Sequence, residues 1–122
     1  MIDRFHHLFI AAADFERSLA FYRDVLGWAV TRSWGEASER GAILSGGGIK
    51  VVIAQRPGIR APGADPVAHL DIHDVDARFE RMPKGDHVVR EPEATPWGTR
   101  WFLVRDPDGN VLAYEEVHLF GR

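Results

Sequence analysis

The sequence contains no cysteine. Disulfide bridges, thiolate nucleophiles and cysteine-held zinc are therefore excluded. No stretch approaches the roughly 18 apolar residues of a spanning helix, so no membrane partner is expected. Positive charge is not in excess: 15 Lys and Arg against 18 Asp and Glu leave a net charge of −3. No basic stripe stands out either. Phosphate backbones need a concentrated positive surface, so nucleic acid is not an expected partner. No apolar block with a cleavage site follows Met1-Ile2-Asp3-Arg4, and the expected compartment is cytoplasmic. Gly46-Gly47-Gly48 is not followed by Lys-Ser or Lys-Thr, so it reads as a turn and not as a phosphate cradle. The scattered serines Ser18, Ser33, Ser38 and Ser45 lie in no nucleophile-elbow context. What is present is 122 residues, 45% hydrophobic and 27% charged. That is the composition of one soluble globular domain with a core large enough to need no staples.

Two segments share a pattern. Leu8–Ala13 alternates apolar positions, then come Asp14 and an amphipathic stretch to Leu26. Ala68–His73 does the same, then come Asp74 and an amphipathic stretch to Met82. Alternation predicts a strand, and apolar residues at spacings of three and four predict a helix. Asp14 and Asp74 stand where an N-cap accepts hydrogen bonds from unpaired helix N–H groups. Phe15, Leu19, Tyr22 and Leu26 form one helix face, closed by Gly27 as a left-handed cap. Val75, Phe79 and Met82 form the other, and Pro83 stops it. After each helix come three apolar segments, near 28–34, 41–45 and 49–55, then near 87–91, 99–105 and 110–117. Asp106-Pro107-Asp108-Gly109 suits a type I turn between the last two. The order strand–helix–strand–strand–strand thus occurs twice, an α+β fold of paired βαβββ modules at about 4–56 and 67–118. Residues 57–66, with three prolines and two glycines, read as the linker.

The segments His7–Asp14, Phe21-Tyr22-Arg23-Asp24-Val25-Leu26-Gly27 and Asp106-Pro107-Asp108-Gly109-Asn110 resemble the vicinal oxygen chelate superfamily. It includes glyoxalase I, extradiol dioxygenases, fosfomycin resistance enzymes and bleomycin resistance proteins. The resemblance covers nearly the whole chain. It implies two modules whose sheets curl around a cavity, and a homodimer. It does not select an activity, because one fold hosts many.

Metal-dependent members of that superfamily hold the ion with His and Glu on inward strand positions. His7 matches the first-strand histidine. The equivalent position in the second module is Val67, and the last-strand glutamate position is Ala113. Neither can bind a metal. His69 lies two residues after Val67 and Glu115 two after Ala113, so each shares a strand face with the expected position. His7, His69 and Glu115 therefore form the rival ligand set, for zinc, iron, manganese or nickel. The offset is about 6.6 Å along each strand, against metal–ligand bonds near 2 Å. His6 is expected on the face opposite His7. His87 and His118 are expected as surface residues at strand ends.

Alternation places Ala68, Leu70 and Ile72 in the core and Val67, His69, Asp71 and His73 on the cavity side. On the first strand His7, Phe9, Ala11 and Ala13 face in. On 99–105 Trp101, Leu103 and Arg105 do so, and on the last strand Val111, Ala113, Glu115 and Val117. Aromatic faces beside carboxylates favour a planar or cationic ligand. The competing arrangement has Asp71 and Glu115 paired with His69 or Arg105, closing the groove. Gly48–Ala54 and Gly98–Pro107 resemble the bleomycin resistance branch, which lacks the metal set and holds its ligand in a groove at the dimer interface. That branch has a carboxylate where this chain has Asp71, and an aromatic where it has His69. Trp34 and Trp97, at loop edges, are candidate rim residues. The expected function is metal-free sequestration of an aromatic or cationic small molecule such as an antibiotic, with no cofactor. Its binding residues would be Phe9, Trp34, His69, Asp71, Trp97, Trp101 and Glu115. The rivals are a metal-dependent lyase or dioxygenase and a domain whose ancestral site has decayed.

Overall fold

The computed structural model describes residues 2–58, 63 and 65–117 of the chain. They form two compact units, Met1–Arg60 and Ala61–Arg122. Each unit holds a four-stranded mixed sheet. In the first, β1 (Leu8–Ala12), β2 (Ala29–Trp34), β3 (Gly41–Ser45) and β4 (Lys50–Gln55) take the order β1-β4-β3-β2. In the second, β5 (Pro66–Asp71), β6 (Val88–Ala94), β7 (Thr99–Arg105) and β8 (Val111–Val117) take the order β5-β8-β7-β6. The first strand of each unit pairs parallel with the last, and the remaining pairs are antiparallel. The βαβββ repeat expected from element order is the architecture found.

The helices α1 (Phe15–Ala20) and α2 (Val75–Arg81) begin alike. Asp14 accepts from Arg17 N at 3.2 Å and Asp74 from Ala77 N at 3.0 Å. The last strand of each unit caps the first helical residue as well: Gln55 Oε1 takes Phe15 N at 2.8 Å, and Glu116 Oε1 takes Val75 N at 2.9 Å. These contacts satisfy helix N–H groups that have no partner within the helix.

The first helix is not α-helical to Leu26. Phe21–Val25 is a π-helical turn, with Leu26 N donating to Phe21 O. The consecutive Phe21 and Tyr22 that open this turn are both buried in the core. Gly27 then turns the chain at φ 80°, as a left-handed cap does.

In the second unit Leu70, Ile72, Phe102, Val104, Leu112 and Tyr114 are all buried, on the face of the sheet that meets α2. Phe102 stacks on Tyr114 with centroids 4.9 Å apart, and Phe79 of α2 meets Phe102 at 5.2 Å. Asp106, buried, accepts from the N–H groups of Asp108 and Asn110 and from the Asn110 amide. Its role is to hold the β7–β8 turn. Strand alternation then leaves Trp101, Leu103, Ala113 and Glu115 on the other face.

The position of several residues differs from the sequence reading. β1 begins at Leu8, so strand alternation does not part His6 from His7; their Nδ1 atoms lie 2.7 Å apart. Leu103, Val111 and Ala113 are not open to a cavity; they are buried in an apolar cluster joined by Val89 and Trp101. His87 is half-buried. β6 runs to Ala94, three residues past its expected end, with register shifts at Val88/Arg90 and Arg90/Glu93. His118, the side chain of Val117 and part of the 57–66 linker lie outside the described residues.

Candidate functional site

The polar end of the second sheet's free face converges on one carboxylate. Glu115 of β8 stands opposite Trp101 of β7 and beside Asp71 of β5, so all three share a face. His69, two residues before Asp71, shares it too. His69 Nδ1 lies 2.6 Å from Glu115 Oε1. The other oxygen, Oε2, accepts from Trp97 Nε1 at 2.9 Å and from the Thr99 hydroxyl. The Glu115 side chain is 14% exposed and that of His69 51%.

Burial alone would push the Glu115 carboxyl up. The hydrogen bonds from Thr99, Trp97 and His69, with the His69 charge, outweigh it and hold the group below its ordinary value. Glu115 is thus a fixed anion at neutral pH, half sunk in an aromatic surround.

The turn between β6 and β7 delivers two of these donors. Thr95 N donates to Thr99 O at 2.9 Å, the Thr95 and Thr99 hydroxyls meet at 2.7 Å, and Gly98 takes φ 94°. A side chain at Gly98 would be strained at that angle, so glycine is what lets the turn close and bring Trp97 over the sheet. Trp97 is 55% exposed. It meets Trp101 edge-on, with centroids 5.0 Å apart. His69 stacks on Trp101 at 6.0 Å and 27°. Trp101 Nε1 donates to Glu93 Oε1 at 3.1 Å. The result is an aromatic shelf of His69, Trp97 and Trp101 lying over the sealed Leu103–Val111–Ala113 cluster, with carboxylates at Asp71, Glu93 and Glu115.

The structure therefore brings His69, Trp97, Trp101 and Glu115 into direct contact, with Asp71 alongside. Of the two arrangements weighed for Glu115, it shows the pairing with His69. Phe9 and Trp34 belong to the other unit, on its two edge strands. Phe9 lies under the Arg56 guanidinium at 5.4 Å, and the Trp34 ring covers Gly41 where any side chain would collide with it. The first unit also has a cleft of about 220 Å³, lined by His6, Thr31, Ile43, Ser45 and Lys50 among others. Thr99 and Glu93 were not foreseen. Thr99 was legible, since it shares alternation with Trp101. Glu93 was not, because its place depends on the bulges of β6.

Some members of the resembling superfamily depend on a metal, and the expected ligand positions within this unit do not fit one. Val67 and Ala113 present only carbon at the two expected ligand positions of this unit. Both oxygens of Glu115 are already engaged. Among the described residues, Asp74, Asp76 and Glu116 do bring three carboxylates within 4.8 Å of one another. Each has structural work: Asp74 caps α2, Asp76 accepts from Arg100 Nε and Nη2, each at 2.9 Å, and Glu116 holds Val75 N.

Residues 4–114 match the Glyoxalase/Bleomycin resistance protein/Dioxygenase superfamily, and the chain belongs to it. Solved structures agree in fold. A superfamily member from Sphaerobacter thermophilus DSM 20745 is 27% identical, with a TM-score of 0.72 over 94% of this chain and 98% of that one. TnmS3, an antibiotic binding protein from Streptomyces sp. CB03234, is 23% identical, with a TM-score of 0.67 over 97% of this chain and 100% of that one. The fosfomycin resistance protein FosX from Listeria monocytogenes is 16% identical, with a TM-score of 0.77 over 98% of this chain and 97% of that one. Among curated proteins nothing matches. No helix among the described residues is long and apolar enough to cross a membrane.

Proposed function

We propose that this protein sequesters a small aromatic or cationic ligand without a metal, acting as a homodimer in the cytoplasm. One observation carries the reading: an ionised carboxylate, Glu115, is fixed at 14% exposure among Trp97, Trp101 and His69. A planar cation on that shelf would gain stacking and cation–π attraction from the tryptophans, of about 0.5–2 kcal/mol. It would also gain a charge partner whose orientation is already settled, so little entropy is lost on binding. Val67 and Ala113 support the metal-free part, and the name of TnmS3 makes an antibiotic the first ligand class to try.

The test is a titration of intrinsic tryptophan fluorescence with a cationic aromatic glycopeptide of the bleomycin type. Saturable quenching that weakens in Trp101→Ala is the expected result. Metal analysis of protein purified without chelator completes it, with less than about 0.2 equivalents expected. Near-stoichiometric zinc, iron, manganese or nickel, lost in His7→Ala, would replace this reading with that of a metal-dependent lyase or dioxygenase.

A further inference from the structure

We propose that His69 and Glu115 also form a proton-accepting dyad, which gives this shelf general-base activity toward planar aromatic ligands bearing an acidic C–H. The geometry has three parts. Glu115 Oε1 lies 2.6 Å from His69 Nδ1 and, as an anion, can only accept there. In the neutral imidazole the proton is then on Nδ1, and the lone pair is on Nε2. Glu115 is itself clamped by Trp97 and Thr99, so the acceptor cannot swing away. The imidazole ring is stacked on Trp101, and its side chain is 51% exposed. Among the described residues Nε2 has no hydrogen-bond partner. A simple ion pair would need only the first contact. The two extra donors on Glu115 and the ring stack fix the imidazole beside the aromatic surface that would seat a planar ligand.

The inference rests on the proposed ligand shelf for the seat of the substrate, and it adds chemistry to it. His69 would be the catalytic base and Glu115 a positioning residue. A probe that needs nothing but a base is 5-nitrobenzisoxazole, a planar heteroaromatic. Nε2 takes the proton from C3, the C–H electron pair forms the nitrile, and the ring N–O bond breaks. The electrons leave on the phenolate oxygen, which is coloured. The proton on Nε2 then passes to water from the exposed ring. No oxidant, metal or second substrate enters.

The experiment measures release of the cyanonitrophenolate by the full chain, alongside quenching of tryptophan fluorescence by the probe. His69→Asn is the comparison, since its amide can still donate to Glu115 but has no basic nitrogen. The chain's other histidines remain in that variant and set the background. The wild-type protein should exceed His69→Asn by about 10²-fold, in the range of positioned general bases. Glu115→Gln should lose most of the activity. Nitrogen-15 spectra should show the His69 proton on Nδ1 in the wild type and moved to Nε2 in that variant, a change that lost packing alone would not produce. Equal rates in wild type and His69→Asn would overturn the dyad. Quenching that persists in that case leaves the binding reading standing, and absence of quenching removes both.

Discussion

Replacing Glu115 by Gln keeps the shape of the side chain and removes its charge, so it isolates what the anion does for the fold. The carboxylate receives His69 Nδ1 and Trp97 Nε1 at 2.6 and 2.9 Å, and the Thr99 hydroxyl as well. An amide offers one oxygen and one N–H₂ group. The Trp97 indole can only donate, so with the oxygen turned toward it the amide nitrogen faces His69. With the oxygen turned toward His69, the N–H₂ faces the indole N–H instead. The first orientation keeps the His69 contact only by moving the His69 proton to Nε2, the second loses the indole contact, and in neither are the survivors charge-assisted. Hydrogen bonds to a charged group contribute about 1.5–3 kcal/mol, and a neutral amide is easier to bury than an anion. The expected net cost is about 2 kcal/mol, or a fall in Tm of about 8 °C for a chain of this size. Urea unfolding at neutral pH reads it directly.

The sign with pH follows from the same contacts. The folded carboxyl is held below its ordinary value, so its stabilisation is complete above the unfolded value. It is lost as pH falls through the folded one. The gap between wild type and Glu115→Gln should therefore be flat near neutrality and close on acidification. Glu93→Gln is the control, because the Glu93 side chain is 44% exposed and Gln can still accept from Trp101. That substitution should stay within about 0.5 kcal/mol of wild type. A Glu115→Gln protein no less stable than Glu93→Gln, or a gap that fails to close in acid, would refute the reasoning.

Trp101→Ala should weaken an aromatic ligand by about 1–3 kcal/mol in fluorescence or calorimetric titrations. It should also destabilise the fold, because Trp101 packs on the Leu103–Val111–Ala113 cluster; a cost at the full core level of about 3–5 kcal/mol with no selective loss of binding would make it purely a core residue. Asp71→Asn, at an exposed position, should weaken a cationic ligand and spare a neutral one, and added salt should reproduce part of that loss. Sedimentation at micromolar concentration should give a dimer; a stable monomer would contradict the homodimer.

Much of the frame was written in local sequence. Asp14 and Asp74 cap the helices they precede, Gly27 turns with positive φ, and Asp106 holds the last hairpin, because each feature depends on a few neighbouring residues. Strand alternation likewise sorted Leu70, Ile72, Phe102 and Val104 from His69 and Trp101. It failed where the backbone leaves its regular period. The π turn at Phe21–Val25 opens with two consecutive buried aromatics, and the bulges of β6 bring Glu93 to the Trp101 indole N–H. Nothing in the pattern of polar and apolar residues marks an extra residue in a turn or a strand.

The sequence by itself therefore determined the repeated βαβββ order, the helix starts, the faces of most strands and the carbon-only positions Val67 and Ala113. Only the tertiary structure decided that Glu115 meets His69, Thr99 and Trp97 together, and that the neighbouring Val111 and Ala113 are sealed. Those outcomes depend on how β5, β7 and β8 align in register and on where the β6–β7 turn lays Trp97. The partners lie up to 46 positions apart in the chain. Alternation states which side of a strand a residue takes, whereas a hydrogen bond also requires its position along the strand. That position is set by the pairing of whole strands.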